Sequence, residues 1–145
     1  MALEIDGMNE FGARALKHLA EDQIVWLTTS DAHGGPQPKP VWFLWEDGGT
    51  DLVYTGAETA TVRHIGRNPR VALNFNTDPP GYDVVILIGT AEVVRDTPRA
   101  DSIPAYIDKY ANAMAVIGLT PLSFSDPYDV AIRVTPEKIR GFPAD

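Results

Sequence analysis

The chain has 145 residues, 12 basic against 20 acidic side chains for a formal charge of −8, and no cysteine. Its length and a composition 44% hydrophobic and 22% charged fit one globular domain, 1–145, large enough to hold a core without staples. The acidic balance speaks against nucleic acid and anionic membrane surfaces, both of which recruit lysine and arginine, and the missing cysteine removes disulfides and thiolate chemistry and fits a cytoplasmic setting.

The start, Met1-Ala2-Leu3-Glu4-Ile5-Asp6, carries acids where a signal peptide needs a basic region. The longest purely aliphatic run, Val84 to Ile88, falls far short of the ~20 residues that span a bilayer. From Asn9 to Ala20 the apolar residues Phe11, Ala15, Leu16 and Leu19 share one helical face. The period then changes to a β-rich run, Ile24 to Thr29, closed by the turn formers Ser30 to Pro36. A second run, Val41 to Trp45, and a third, Asp51 to Thr55, follow after short turns that leave no room for a crossover helix. These three read as an antiparallel meander.

A short helix is expected from Thr59 to Gly66, ended by Asn68-Pro69. Arg70 to Asn76 is strand four, and Val84 to Val94 is a long fifth strand in which Gly89 suits a bulge. Ser102 to Gly118 reads as a third helix, with Tyr106, Tyr110, Met114 and Ile117 on one face. Tyr128 to Thr135 alternates as strand six. Six short strands with three peripheral helices predict a mainly β fold, a small antiparallel barrel.

Several chemistries lack their signatures. None of Ser30, Ser102, Ser123 and Ser125 sits in a nucleophile elbow, and no glycine-rich phosphate loop is present. His18, His33 and His64 are too scattered to pair on zinc, so no metal site is expected. Two segments stand out instead. In Pro38-Lys39-Pro40-Val41-Trp42-Phe43, two prolines flank a lysine at a strand entrance, which suits either a protected edge strand or a wall beside a bound molecule. Trp42 and Trp45, taken alone, fit a core as readily as a stacking surface. In Tyr54 to Arg70, a strand ends, Thr55, Thr59 and Thr61 follow, and a helix begins, so free backbone N–H groups and a positive dipole end meet at one place suited to an anion. Three of the eight arginines, Arg63, Arg67 and Arg70, lie in this stretch. The plainer alternative is that Thr59 caps the helix and the arginines are its solvated face.

The ordered set Val25-Trp26-Leu27-Thr28-Thr29, Pro36 to Trp45, Val62-Arg63-His64-Ile65, Asn68 to Phe75, Gly89-Thr90-Ala91-Glu92 and Pro104 to Tyr110 resembles the pyridoxamine 5'-phosphate oxidase-like split-barrel superfamily. The nearer resemblance is to its actinobacterial branch of coenzyme F-420-dependent (deazaflavin) oxidoreductases. It implies a six-stranded antiparallel split β-barrel of the FMN-binding type. It also implies a cytoplasmic homodimer with cofactor clefts at the interface. Under the resemblance, Lys39, Pro40, Val41 and Trp42 face the cofactor ring, while Thr55, Thr59, Thr61 and Arg63 hold its phosphate end. A lysine is usual where this chain has Thr61, and Arg63, one turn further on, is the residue placed to compensate.

The implied activity is an oxidoreductase that passes a hydride from reduced F-420 to an unsaturated small organic substrate. The alternatives are an FMN-dependent oxidoreductase of the same fold and a non-catalytic binder of flavin, deazaflavin or haem. The protein's share of such chemistry is binding, orientation and water exclusion, which agrees with the lack of a catalytic dyad in the sequence. No catalytic residue is assigned.

Overall fold

The computed structural model describes residues 3–144. Helix α1 (Glu10–Glu21) begins at Asn9, whose side chain accepts a 2.6 Å hydrogen bond from the Gly12 N–H, and it buries Gly12, Ala15 and Leu19. Strand β1 (Val25–Ser30) alternates buried and half-buried residues, as a strand over a core must. Next come β2 (Pro36–Val41), β3 (Leu44–Trp45) and β4 (Asp51–Thr55), then α2 (Ala60–Arg67) and β5 (Arg70–Asn74). The chain continues through β6 (Val84–Val94), a 3-10 turn (Ala100–Ser102), α3 (Pro104–Val116), α4 (Pro121–Ser125) and β7 (Val130–Phe142).

All strand pairs are antiparallel, in one sheet of order β2-β1-β5-β6-β7-β4-β3. The two strands at its ends are consecutive in the chain. The sheet therefore curls until β2 and β3 are halves of one bent run, joined at Trp42-Phe43, and covalent continuity takes the place of a closing ladder. We call this bend the seam. A bidentate ion pair from Arg133 on β7 to Glu46, at 2.9 and 3.1 Å, fastens the turn after β3 across the same side.

Several expectations change in detail. Among the described residues the strands number seven, because the run Val41 to Trp45 breaks at Trp42-Phe43 and Pro36 to Val41 is itself a strand. The expected meander is split: β1–β2 and β3–β4 are hairpin pairs at opposite ends of the sheet order. Prolines at 36, 38 and 40 are compatible with β2 because alternate residues of an edge strand turn their N–H away from the partner. The outer edge of β2 then offers carbonyls without N–H donors, which discourages stray pairing. The last strand runs past Thr135 to Phe142, since Pro136 lies opposite Gly89 where the β6–β7 register slips. A Cβ on Gly89 would lie 2.0 Å from the Thr135 carbonyl oxygen, so only glycine allows that approach. The segment after Gly118, unassigned from sequence, contains α4, which starts with a capping box between Thr120 and Ser123.

Two buried clusters result. Inside the curl, Leu19, Val25, Leu27, Phe43, Val53, Leu73, Val85, Leu87, Ile132 and Val134 form a largely aliphatic core. Outside it, under α3 and α4, lies an aromatic cluster of Tyr54, Tyr106, Tyr110 and Phe124 with Leu52 and Met114, against which Trp42 packs. Strand β4 separates them and is buried on both faces: Val53 faces the first cluster, Leu52 and Tyr54 the second. No helix among the described residues is long and apolar enough to cross a membrane.

Candidate functional site

A cavity of about 360 Å³ opens where β2 and β4 part at the seam. Lys39, Pro40, Val41 and Trp42 form one wall; Val53, Tyr54 and Thr55 from β4 form another, with Thr61 from α2 beside them. Ile117, Phe124 and Tyr128 close the side toward α3 and α4, and Ile24 completes the lining. The lining is largely apolar and aromatic, with a few polar groups at one end, the usual make-up of a small-molecule site. Among the described residues one cation, Lys39, lines it, and its side chain is half-buried.

The wall at Trp42 is rigid. Its ring is stacked between Tyr110, at 4.7 Å and 7°, and Phe124, at 5.2 Å and 15°. Phe124 in turn stacks on Tyr128 at 4.5 Å. Each such pair contributes about 0.5–1.5 kcal/mol beyond area burial, so the column resists displacement. Burial pushes the Tyr54 phenol up to about 12, and its hydroxyl donates to the Pro98 carbonyl.

The polar end is built by the start of α2. Thr59 occupies the N-cap but its side chain does not cap the helix; its hydroxyl donates to the Gly56 carbonyl at 3.0 Å and lies 3.2 Å from the Thr55 hydroxyl. The first N–H groups of α2 are thus left without a side-chain acceptor, while Thr55 and Thr61, each 4% exposed, lie at the cavity. Free helix-start N–H groups beside buried hydroxyls match the oxygens of a phosphate or carboxylate. This donor set, next to an apolar and aromatic lining, fits the phosphate and ring of a flavin or deazaflavin.

Six of the eight sequence-selected residues, Lys39, Pro40, Val41, Trp42, Thr55 and Thr61, line this one cavity. The other two do not. Thr59 supports Thr55 from behind. Arg63 is exposed, and its guanidinium donates to the Glu58 carbonyl at 3.0 Å. The capping alternative for Thr59 is not realised, whereas the alternative of a solvated face does describe Arg63. Sequence reasoning missed Ile24, Val53 and Ile117, whereas Tyr54 belongs to the segment singled out for an anion, and Phe124 and Tyr128 to the loop from Gly118 to Tyr128 expected beside a substrate. The available signal was a strand and a helical face that read as ordinary core.

The profile of the pyridoxamine 5'-phosphate oxidase family matches residues 12–142. No curated protein sequence matches the chain. Among solved structures, a conserved hypothetical protein of Mycobacterium tuberculosis superposes with a TM-score of 0.72 at 17% identity, covering 98% of this chain and 89% of that one. An F-420 reductase superposes with a TM-score of 0.62 at 25% identity, covering 84% of this chain and 92% of its own. The haem storage protein of Vibrio cholerae gives 0.61 at 19% identity, covering 87% and 90%. The profile spans nearly the whole chain, and the curled antiparallel sheet with peripheral helices is the architecture it describes: this chain belongs to the pyridoxamine 5'-phosphate oxidase family.

Proposed function

We propose that the chain is an oxidoreductase that uses reduced coenzyme F-420 to reduce an unsaturated small organic molecule, with the cofactor in the seam cavity. The observation that supports this most is the make-up of that cavity, apolar and aromatic side chains braced by the Tyr110-Trp42-Phe124 stack at one side and helix-start N–H groups with two buried hydroxyls at the other. Thr55, Thr61 and the first N–H groups of α2 hold the phosphate end, with Thr59 fixing Thr55 and Arg63 adding charge from the helix surface. Lys39, Pro40, Val41 and Trp42 orient the ring. Bound in reduced form, the deazaflavin supplies the hydride. Lys39 carries an ammonium proton at the cavity and can pass it to the reduced product. Phe124, Tyr128 and Ile117 keep water from the reacting face.

The working unit in this reading is a homodimer. Ile117 and Tyr128 are 57% and 40% exposed at the cavity rim, and a second copy would cover them. The haem alternative has less support, because among the described residues no histidine lines the cavity. Two experiments test the reading. Titration with F-420 and with FMN, followed by fluorescence, is expected to give saturable F-420 binding, tighter than FMN. Tight FMN binding without F-420 binding would favour a flavin enzyme instead. Reduced F-420 should then be consumed with at least one quinone or enone acceptor; binding without any turnover would reduce the protein to a carrier.

A further inference from the structure

Two ionisable groups behind the seam, one buried and one half-buried, are not used by the proposed chemistry. Asp51, on β4, is 0% exposed, and among the described residues neither oxygen of its carboxyl group has a hydrogen-bond partner. Lys109, on α3, donates from Nζ to the Phe43 carbonyl at 2.8 Å and sits 3.5 Å from the centre of the Phe43 ring. Phe43 is the second residue of the seam, and neither it nor Trp42 belongs to a regular strand. Its backbone groups must find partners elsewhere. The neighbouring Tyr110 hydroxyl accepts the Phe43 N–H at 2.8 Å and donates to the Gln23 carbonyl at 2.8 Å, with the Phe43 carbonyl 3.0 Å away. Tyr110 is also the ring on which Trp42 stacks. One turn of α3 thus holds the cavity wall twice, by its backbone and by its ring.

We propose that Lys109 is a positioning residue for the cavity: its ammonium, held on the carbonyl and over the ring of Phe43, clamps the seam and so sets the placement of Trp42. This rests on the cavity being the cofactor site. The charged groups acting on Lys109 are Asp51, from β4, and Asp22, at the end of α1. Glu46, held by Arg133, acts on Asp51. Burial pulls Lys109 down to about 8, against the attraction of Asp51, and pushes Asp51 up to about 8, against the attraction of Lys109. The two titrate as one unit close to neutral pH. As the unit gives up its protons, the bond to Phe43 loses its charge assistance and with it roughly half its strength.

The test is fluorine NMR on chain labelled with fluorotryptophan, with Trp42 among the three tryptophan signals assigned by Trp42→Phe. From about pH 6 to about pH 9.5 the Trp42 signal should shift with a midpoint near 8. Asp51→Asn should move the midpoint to lower pH, because the carboxylate that favours the ammonium is gone. Lys109→Arg should hold the low-pH position throughout, and Lys109→Met should abolish the titration. A pH-independent Trp42 signal, or a titration that survives Lys109→Met, overturns the proposal. If Lys109→Met does not fold, an unchanged midpoint in Asp51→Asn overturns it equally. F-420 affinity should fall about tenfold between the two ends of the range in the wild type and stay level in Lys109→Arg. Intact Trp42 titration with no cofactor bound at any pH would remove the proposed function while leaving the clamp standing.

Discussion

The barrel interior and the aromatic cluster outside it are both buried, yet they are made of different materials. Inside, leucine, valine and isoleucine meet with no polar atom to satisfy except at Asp51 and the threonines of β1, β4 and α2. Outside, tyrosines, a phenylalanine and a tryptophan stack around hydroxyls, and the Tyr106 hydroxyl finds no hydrogen-bond partner among the described residues. Aliphatic packing is tolerant of shape and fixes a fold through buried area. Flat rings leave planar gaps and carry polar handles, so they suit a wall that a planar ligand can share. Under the proposed function labour is divided across one sheet, with stability placed chiefly inside the curl, the ligand held toward the aromatic side, and β4 belonging to both.

Substitutions can break this division. The largest expected effect is on stability: Leu87→Ala, at a site 1% exposed, should cost about 2–5 kcal/mol in chemical denaturation. Trp42→Ala should lose the two stacked pairs, about 1–3 kcal/mol, on top of its share of buried area, and should remove most cofactor binding. Equal losses of cofactor binding from the two would erase the distinction.

The pair at Asp51 gives a pH test between the regions. The folded chain holds a proton on Asp51 up to about 8, where the unfolded chain releases it near 3.8. The native state binds more protons in that window, so this group's contribution to stability falls as pH rises from about 4 to about 8. Lys109, lowered from 10.5 to about 8, returns part of it as pH rises further to about 10.5. Asp51→Asn should therefore exceed the wild type in stability at pH 8 by about 1–3 kcal/mol, with the gap closing toward pH 4. Thermal unfolding across that range measures it.

Smaller effects grade the polar end of the cavity. Lys39→Met removes the lining cation and should weaken F-420 binding by about ten- to a hundredfold, as loss of a charge-assisted hydrogen bond does. Arg63→Ala should weaken it less, by about threefold, since the exposed guanidinium is engaged with Glu58 and acts through solvent. A reversed order in fluorescence titration would move the phosphate end to the outer face of α2.

Much of this was legible in the chain because it is local. Asn9 marks the start of α1, Gly89 marks the bulge, and the Tyr106-Tyr110-Met114 spacing marks the buried face of α3. The features that escaped are set by distant partners. Val41 to Trp45 reads as one continuous strand, and its break at Trp42-Phe43 follows from curling of the sheet, which no window of that length encodes. Strand six reads as ending at Thr135, and only the opposing Gly89 shows how β7 passes Pro136. Asp51 reads as the first residue of the third β-rich run, and nothing within that run foretells its complete burial. The cavity followed the same rule: β2 and the start of α2 carried recognisable residues, whereas Ile24, Val53 and Ile117 joined them only through the fold.

The central claim is that F-420 occupies the seam cavity against Trp42. It is tested most directly by adding F-420 to a chain whose only tryptophan is Trp42, made by Trp26→Phe and Trp45→Phe, and recording its emission. The account predicts saturable quenching that Lys39→Met weakens. F-420 binding, seen by polarisation, with Trp42 emission unchanged would contradict it.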